Sequence, residues 1–326
     1  MKKVSVIILN WNGAEMLQQF LPSVVSNTQG KDYEIIVADN GSTDNSIEIL
    51  KSFPTVSVML LDKNYGFAEG YNKSIERCHS QYTVLLNSDV EVTPHWLDIL
   101  TDYMDSHEDV SAVQPKILSY HRKTHFEHAG AAGGFIDKLG YPYCRGRLFD
   151  KVEADKHQYD DPIQVFWTSG ACMMIRTELY KEVGGLDAEF FAHMEEIDLC
   201  WRLNARAYKL MCVPESIVYH VGGGSLSYSS PRKTYLNFRN NLLMIYKNAT
   251  PVRKTLVLFV RFFLDYLASL RYLFIGQAAN SHAVVKARID FLKQRSMFRA
   301  KRKENLSLTT VTEIKVIHPF SIFLKH

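Results

Sequence analysis

Four short polar clusters carry residue types that can do chemistry. Asp39 closes the apolar run Ile35-Ile36-Val37-Ala38 and opens Asn40-Gly41-Ser42-Thr43-Asp44. A carboxylate there can accept hydrogen bonds from a ribose or a base N–H, and it equally suits the cap of an Asn-Gly turn. Asn87-Ser88-Asp89 follows Val84-Leu85-Leu86, with a second acid, Glu91, two residues on. Asp89 suits Mn²⁺ or Mg²⁺, which takes one or two protein oxygens and completes its shell with phosphate oxygens and water. It would also cap a helix starting near Pro94. Glu195-Glu196-Ile197-Asp198 places three acids where a helix dipole favours them. Adjacent carboxylates next to Phe190, Phe191 and Met194 also raise one another's pKa, as a general base requires. His220 precedes Gly222-Gly223-Gly224-Ser225, and an imidazole there is a packed residue, a metal ligand or a phosphate donor. The glycine run is neither a Walker loop nor a dinucleotide fingerprint, although it lets a backbone approach a phosphate.

The elements that must position these clusters show in the hydrophobic pattern. Apolar runs of strand length at 4–9, 33–38, 56–61, 82–86 and 110–114 alternate with helix-period stretches. In one of these, Met16, Leu17, Phe20, Leu21, Val24 and Val25 form a single face. The pattern predicts right-handed βαβ units and an α/β fold, a mostly parallel sheet flanked by helices. Such sheets bind ligands beyond the carboxyl ends of their strands, where Asn10-Trp11-Asn12-Gly13 and Asn64-Tyr65-Gly66-Phe67 also fall. Residues 120–161 lack periodicity, as functional loops often do. Beyond them the sequence predicts a strand within 165–175, a short helix ending at Gly184-Gly185, a helix from near Glu195, and two short strands at 209–213 and 217–220.

With 326 residues, 46% apolar and 22% charged, the chain is neither disordered, collagenous nor a disulfide scaffold. Five cysteines without a C-x-x-C motif fit neither disulfides nor zinc and suggest a reducing cytosol. Met1-Lys2-Lys3 leads into an apolar run too short for a secretory leader, which reads as a first strand. The net charge of +3 hides an asymmetry. Residues 1–220 carry 20 Lys and Arg against 31 Asp and Glu, whereas 221–326 carry 18 against 4.

Taken in order, the clusters resemble family 2 glycosyltransferases of the GT-A fold, particularly bacterial rhamnosyltransferase-like members that build surface polysaccharides. The matching text is Val6-Ile7-Ile8-Leu9-Asn10-Trp11-Asn12, Val37-Ala38-Asp39-Asn40-Gly41-Ser42-Thr43-Asp44, Asn64-Tyr65-Gly66-Phe67-Ala68, Leu85-Leu86-Asn87-Ser88-Asp89, Ser169-Gly170-Ala171-Cys172, the stretch from Phe191 to Arg202, and His220-Val221-Gly222-Gly223-Gly224-Ser225. It covers roughly 1–245, including Phe238-Arg239-Asn240-Asn241. The resemblance implies inverting transfer of a sugar from a nucleotide-diphosphate donor to an acceptor hydroxyl, assisted by Mn²⁺ or Mg²⁺. Asp39 would hold the donor's base or ribose with Asn10, Asn12, Asn64 and Gly66, and Asn87 and Ser88 would join them. Asp89 and His220 would bind the metal. The family's Glu-Asp pair, whose second carboxylate is the usual base, becomes Glu195-Glu196 here, so the assignment stays open among Glu196, Glu195 and Asp198. Asn87 likewise replaces the first acid of a full Asp-x-Asp.

The basic end of the chain differs in kind. Residues 255–275 are about as long as a membrane span, roughly 20 residues, but Arg261, Asp265 and Arg271 interrupt them. Arg261 and Asp265 can pair at i,i+4, which favours an interfacial helix or a helical hairpin. From Lys286 to Lys303 eight basic residues face one acid. That suits an anionic membrane surface, at about 1 kcal/mol per basic residue; no nucleic-acid motif accompanies it. The expected organisation is a catalytic domain over 1–245 and a membrane-associating helical extension over 246–326. The protein would sit on the inner face of the plasma membrane, acting on a saccharide or lipid-linked acceptor. A nucleotidyltransferase would need a basic triphosphate loop where Asn10-Trp11-Asn12-Gly13 has no Lys or Arg. A non-catalytic sugar-nucleotide-binding protein would not need Asp39, Asp89, Glu196 and His220 together.

Overall fold

The computed structural model describes residues 2–128, 130–148, 151–222 and 230–311; Gly223-Gly224-Ser225 of the glycine run lie outside them. The first third follows the hydrophobic pattern: β1 (Val4–Asn10), α1 (Ala14–Asn27), β2 (Tyr33–Asp39), α2 (Ser46–Leu50), β3 (Val56–Leu60), α3 (Gly66–Glu76) and β4 (Tyr82–Asn87) alternate. β1 pairs parallel with β2 and β4, and β2 pairs parallel with β3. Helices cover both faces of this sheet, which is why β1 and β4 read as continuous apolar runs. Val4, Val6 and Ile8 pack with residues of α1, while Ile7 packs with residues of α3.

The chain continues through β5 (Val90–Val92), α4 (Trp96–Ser106), β6 (Val110–Ser119), the hairpin β7 (Gly134–Ile136) and β8 (Pro142–Cys144), and the small pair β9 (Arg147–Leu148) and β10 (Lys151–Val152). It then forms β11 (Ile163–Val165), β12 (Cys172–Arg176), α5 (Thr177–Glu182), α6 (Glu195–Ala205) and β13 (Lys209–His220). The main sheet runs β11-β13-β6-β12-β4-β1-β2-β3, with β5 on β13. β12 lies antiparallel between β4 and β6, and β5 and β11 lie antiparallel to β13. The sheet is therefore parallel through its first four strands and mixed beyond them.

Three local expectations change. β6 runs on to Ser119, past the predicted end at Gln114. Pro115 is tolerated there because pairing with β12 stops at Val113, so no ladder donor is lost on that side. The two short strands at 209–213 and 217–220 are one strand, whose register slips between Val213 and Ile217. Asp89 does not cap α4, since β5 intervenes and α4 is entered through His95 in a left-handed conformation, φ 61°.

Among the described residues four α-helices follow: α7 (Pro231–Asn248), α8 (Pro251–Phe274), α9 (Ala278–Gln294) and α10 (Arg299–Ser307). α7 crosses position 245 and buries Leu242, Leu243, Met244 and Ile245 in the main core. Lys247 Nζ lies 2.6 Å from Asp187 Oδ2 and 2.8 Å from Asp198 Oδ2, and Lys301 Nζ lies 2.6 Å from Asp187 Oδ1. Part of the basic surplus thus neutralises acids of the preceding region. The Lys247 and Lys301 ammoniums outweigh the burial of Asp187 and hold its carboxyl down to about 2.

α8 has its polarity reversed. Its buried face holds Arg261, Asp265 and Ser269; Arg261 Nε bonds Asp265 Oδ1 at 3.0 Å, and Arg288 of α9 reaches Asp265 Oδ2 at 2.6 Å. Its outward face carries Leu256, Phe259, Phe262, Phe263, Leu267 and Leu270, all exposed. Among the described residues no helix is long and apolar enough to cross a membrane. All five cysteines are buried and unpaired.

Candidate active site

The parallel register brings the polar strand ends to one edge, since Asn10 stands opposite Asp39 and Leu9 opposite Asn87. Asn10 donates from Nδ2 to Asp39 Oδ1 at 3.0 Å and to Ser42 Oγ at 3.2 Å, while the backbone N–H of Ser42 donates to Asp39 Oδ2 at 3.0 Å. Asp39 is nearly fully buried, and both of its carboxylate oxygens are used to shape its own turn. Asn12 adopts φ +50° and accepts from the Thr43 N–H at 2.8 Å, tying the β1 and β2 turns together. Asn64 accepts from the Gly66 N–H at 2.8 Å. Asn40, which the sequence marked only as a turn residue, clasps both loops. It donates to Asn64 Oδ1 and the Gly66 carbonyl and accepts from the Tyr65 N–H. Gly66 has φ +77°, and a Cβ there would touch the Phe191 ring at 3.4 Å, so the loop after β3 and the loop before α6 meet at this glycine.

Asp89 and His220 come together as expected. Nε2 of His220 lies 3.2 Å from Asp89 Oδ1 and 3.4 Å from Asn87 Nδ2. The other ring nitrogen, Nδ1, faces Glu127 Oε2 at 3.6 Å. Burial alone would lower the imidazole pKa; Asp89 and Glu127 outweigh it and push it up to about 10. Asp89 is held below the usual carboxylate range, because its hydrogen bond and charge contact with His220 outweigh burial. Ser88 lies beside the pair, its Oγ 3.9 Å from where a Cβ on Gly13 would sit. Among the described residues no group of three His, Cys, Asp or Glu side chains is arranged to hold a metal ion. One carboxylate and one imidazole do converge at Asp89 and His220, and with the ring deprotonated that donor set would fit a divalent ion that takes its remaining ligands from phosphate oxygens and water.

α6 carries the acids. Three loop residues without the freedom of glycine, Phe191 (φ 66°), His193 (φ 69°) and Met194 (φ 76°), adopt positive-φ backbones just before it. Such conformations persist only where surroundings enforce them. Here Asn240 Nδ2 lies within 2.9 Å of the Phe190 carbonyl and within 2.8 Å of those of Ala192 and His193, and Arg239 reaches the carbonyls of Glu189 and Phe190. Glu195 is buried, and its pKa is raised well above the usual range by burial and then by Glu196. Burial raises Glu196 too. One oxygen of each carboxyl, Oε2, is buried and has no hydrogen-bond partner among the described residues. Asp198 differs: it is fully buried and bound to Arg202 at 3.0 Å, Lys247 at 2.8 Å and Asn248 at 2.7 Å, an arrangement that anchors α6 to α7.

Glu127 escaped the sequence reading, and Asn240 and His193 entered it only as motif text with no role of their own. Glu127 lies in the aperiodic stretch, and only its place in His125-Phe126-Glu127-His128 could have drawn attention. Burial, aided by the Lys233 charge, pushes His193 down to about 4.

The sequence profile of glycosyl transferase family 2 matches residues 5–184, more than half the chain, and the chain belongs to that family. It is 25% identical over 231 residues to the N-acetylglucosaminyl-diphospho-decaprenol L-rhamnosyltransferase of Mycobacterium tuberculosis, a match covering 66% of this chain and 75% of that protein. Among solved structures, S. aureus TarS 1–349 in complex with UDP-GlcNAc aligns with a TM-score of 0.57 at 18% identity, covering 94% of this chain and 89% of that one. The mannosyltransferase PcManGT from Pyrobaculum calidifontis, in complex with GDP-Man and Mn²⁺, aligns at 0.54 and 12% identity, covering 94% and 84%. The likeness to these structures is one of fold, the GT-A arrangement of a mixed sheet flanked by helices.

Proposed function

We propose that this chain is an inverting, metal-assisted glycosyltransferase. It moves a sugar, rhamnose by its similarity to the mycobacterial enzyme, from a nucleotide-diphosphate donor to a hydroxyl of a lipid-linked saccharide in surface-polysaccharide synthesis. The observation that carries the reading is the meeting of Asp89 and His220 at the carboxyl end of β4, where the Asn87 N–H donates to the Ala171 carbonyl and the neighbouring Gly170 would place a Cβ 3.9 Å from the Cβ of Glu196. Asn10, Asn12, Asp39, Asn64 and Gly66 shape the groove for the base and ribose, with Asn87 and Ser88 beside the diphosphate. Asp89 and His220 would hold Mn²⁺ or Mg²⁺, which when bound offsets charge on the departing diphosphate.

Glu196 serves as the base. As the acceptor oxygen bonds to the anomeric carbon and the bond from that carbon to the diphosphate oxygen breaks, the hydroxyl proton passes to Glu196. Its raised pKa makes it a stronger base than an exposed carboxylate. Glu195, raised by burial and then by the Glu196 charge, is harder to ionise than an exposed carboxylate, which disfavours a second negative charge beside Glu196. Asp198 is already neutralised and holds the helix in place.

The catalytic region spans 1–245 and the extension 246–326, with α7 bridging the two. The extension would meet the inner leaflet through α8, whose outward face is apolar, at the peripheral location expected for a lipid-linked acceptor. The test is nucleoside diphosphate release from a panel of sugar nucleotides, with and without Mn²⁺, using a crude lipid acceptor fraction. Metal-dependent release from one donor supports the reading. Silence across the panel from folded, nucleotide-binding protein refutes it.

A further inference from the structure

An open cleft of ≈ 640 Å³ lies between α7 and α9, beside the loop that leads into α6. Its walls include Phe191, Arg232, Tyr235, Arg239, His282 and Lys286. Aromatic faces carry the cations: Arg232 stands 5.3 Å from the Phe191 ring centre, and Arg239 and Lys286 stand 5.4 and 4.6 Å from that of Tyr235. One acid enters the cluster, Asp290, which accepts from Lys286 Nζ at 2.6 Å and from the Tyr235 hydroxyl at 2.8 Å. Three other cations of this part are engaged differently. Lys247, Arg261 and Arg288 are each buried against a carboxylate. Arg232 and His282, by contrast, are exposed and make no hydrogen bond or ion pair with any described residue.

The cleft's position narrows what it could hold. Phe191 forms part of its wall and also packs on Gly66, and Arg239 holds the carbonyls of Glu189 and Phe190 just ahead of Glu195 and Glu196. On its other side, α9 turns its back to α8: Ser281 Oγ meets Ser269 Oγ at 2.8 Å and Arg288 meets Asp265. α9 thus stands between the cleft and the helix whose outer row is apolar. A ligand held here is anionic and has one end near the loop that carries the acid pair.

We infer that this cleft binds the diphosphate of an isoprenoid-diphosphate-linked acceptor, with Arg232, Arg239 and Lys286 as its cationic contacts. The inference rests on the lipid-linked-acceptor reading above. Two linked phosphates need more than one cation, and the planar guanidinium fork matches paired phosphate oxygens better than an ammonium does. With the diphosphate fixed there, the acceptor sugar extends toward Glu196.

The test uses the full chain and calorimetric titration with farnesyl diphosphate, farnesyl monophosphate and inorganic pyrophosphate. Arg232→Gln and Lys286→Gln are the variants, because both side chains are exposed and their loss leaves the core intact. Farnesyl diphosphate binding at least about tenfold tighter than the monophosphate, weakened about tenfold in the double variant while uridine or thymidine diphosphate with Mn²⁺ binds as before, supports the inference. Farnesyl diphosphate binding that is unchanged in the double variant overturns it and leaves the lipid-acceptor reading standing. No binding of farnesyl diphosphate by the unaltered protein overturns both. A parallel loss of nucleoside diphosphate binding in the variants assigns the cleft to the donor and overturns the inference as well.

Discussion

The imidazole of His220, at the end of β13, is held between two carboxylates, with Asp89 3.2 Å from Nε2 and Glu127 3.6 Å from Nδ1. Histidines that ligate a metal through one nitrogen are commonly oriented by a carboxylate on the other, and such partners tune affinity without touching the ion. Glu127 occupies that position, coming from a segment whose sequence gave no periodic signal.

Three substitutions separate these roles. Asp89→Asn and His220→Gln should each weaken Mn²⁺ binding in the presence of nucleoside diphosphate strongly. Glu127→Gln should weaken it by a smaller factor, about 10- to 100-fold. Titration of the Mn²⁺ electron-spin signal with protein reads the free ion directly. Unchanged Mn²⁺ affinity in Asp89→Asn would remove the metal from this site altogether.

Glu196→Gln should lower kcat by about 10²- to 10⁴-fold while donor affinity stays near its starting value, because a base acts on the acceptor hydroxyl and not on the diphosphate. Loss of donor binding in step with kcat would make the residue structural. The raised pKa also gives a sign to the pH profile. The base must be ionised, so kcat/KM should rise with pH through a limb above the ordinary carboxylate range, and Glu196→Gln should abolish that limb.

Glu195 makes the opposite kind of prediction, one about stability. Its folded pKa is raised well above its unfolded value by burial and by Glu196. A group shifted in that direction favours folding below its unfolded pKa and loses that contribution as pH rises toward the folded pKa. Glu195→Gln should therefore stabilise the protein at neutral and higher pH, with a gain that shrinks toward acid. Urea unfolding midpoints at several pH values follow this, and a constant difference would contradict the assignment.

The loop before α6 holds its left-handed residues through Asn240, whose amide reaches three carbonyls. Asn240→Leu removes those donors inside the core. It should cost about 1–3 kcal/mol of stability and lower kcat more than donor affinity, since Glu196 follows the loop. Thermal unfolding and initial rates measured on one preparation separate the two effects. A fall in stability with kcat intact would confine Asn240 to the fold.

How far the sequence reaches is clear from particular residues. Strands β1, β2 and β4 announced themselves because both faces are covered, leaving unbroken apolar runs with a polar residue at each carboxyl end. Asn10, Asp39 and Asp89 were legible for the same reason, each ending or following such a run. Glu127 was not, because it reaches His220 through tertiary folding of a segment with no period. Lys247 was hidden in another way: in a helix's last turn a lysine reads as a dipole partner, while here it binds Asp187 and Asp198 from elsewhere in the chain. α8 was half legible. Its length and the Arg261–Asp265 pair were visible, but only packing against Arg288 shows that the charged face points inward.

That inward pairing sets up opposite outcomes on the two faces of α8. Phe259 and Phe263 stand 64% and 57% exposed on the outer row, so Phe259→Ser with Phe263→Ser should leave thermal stability nearly unchanged. If this row enters a bilayer, each ring contributes about 1.5–3 kcal/mol of burial. The double variant should then lose most of its co-sedimentation with vesicles containing anionic lipid. Asp265→Asn should do the reverse, unfolding the C-terminal helices by stranding Arg261 and Arg288 without their carboxylate, a loss of about 3–5 kcal/mol. Full co-sedimentation of the double serine variant would show that α8 does not face the lipid. The basic residues from Lys286 to Lys303 would then remain as the membrane contact, and that contact should disappear as salt is raised.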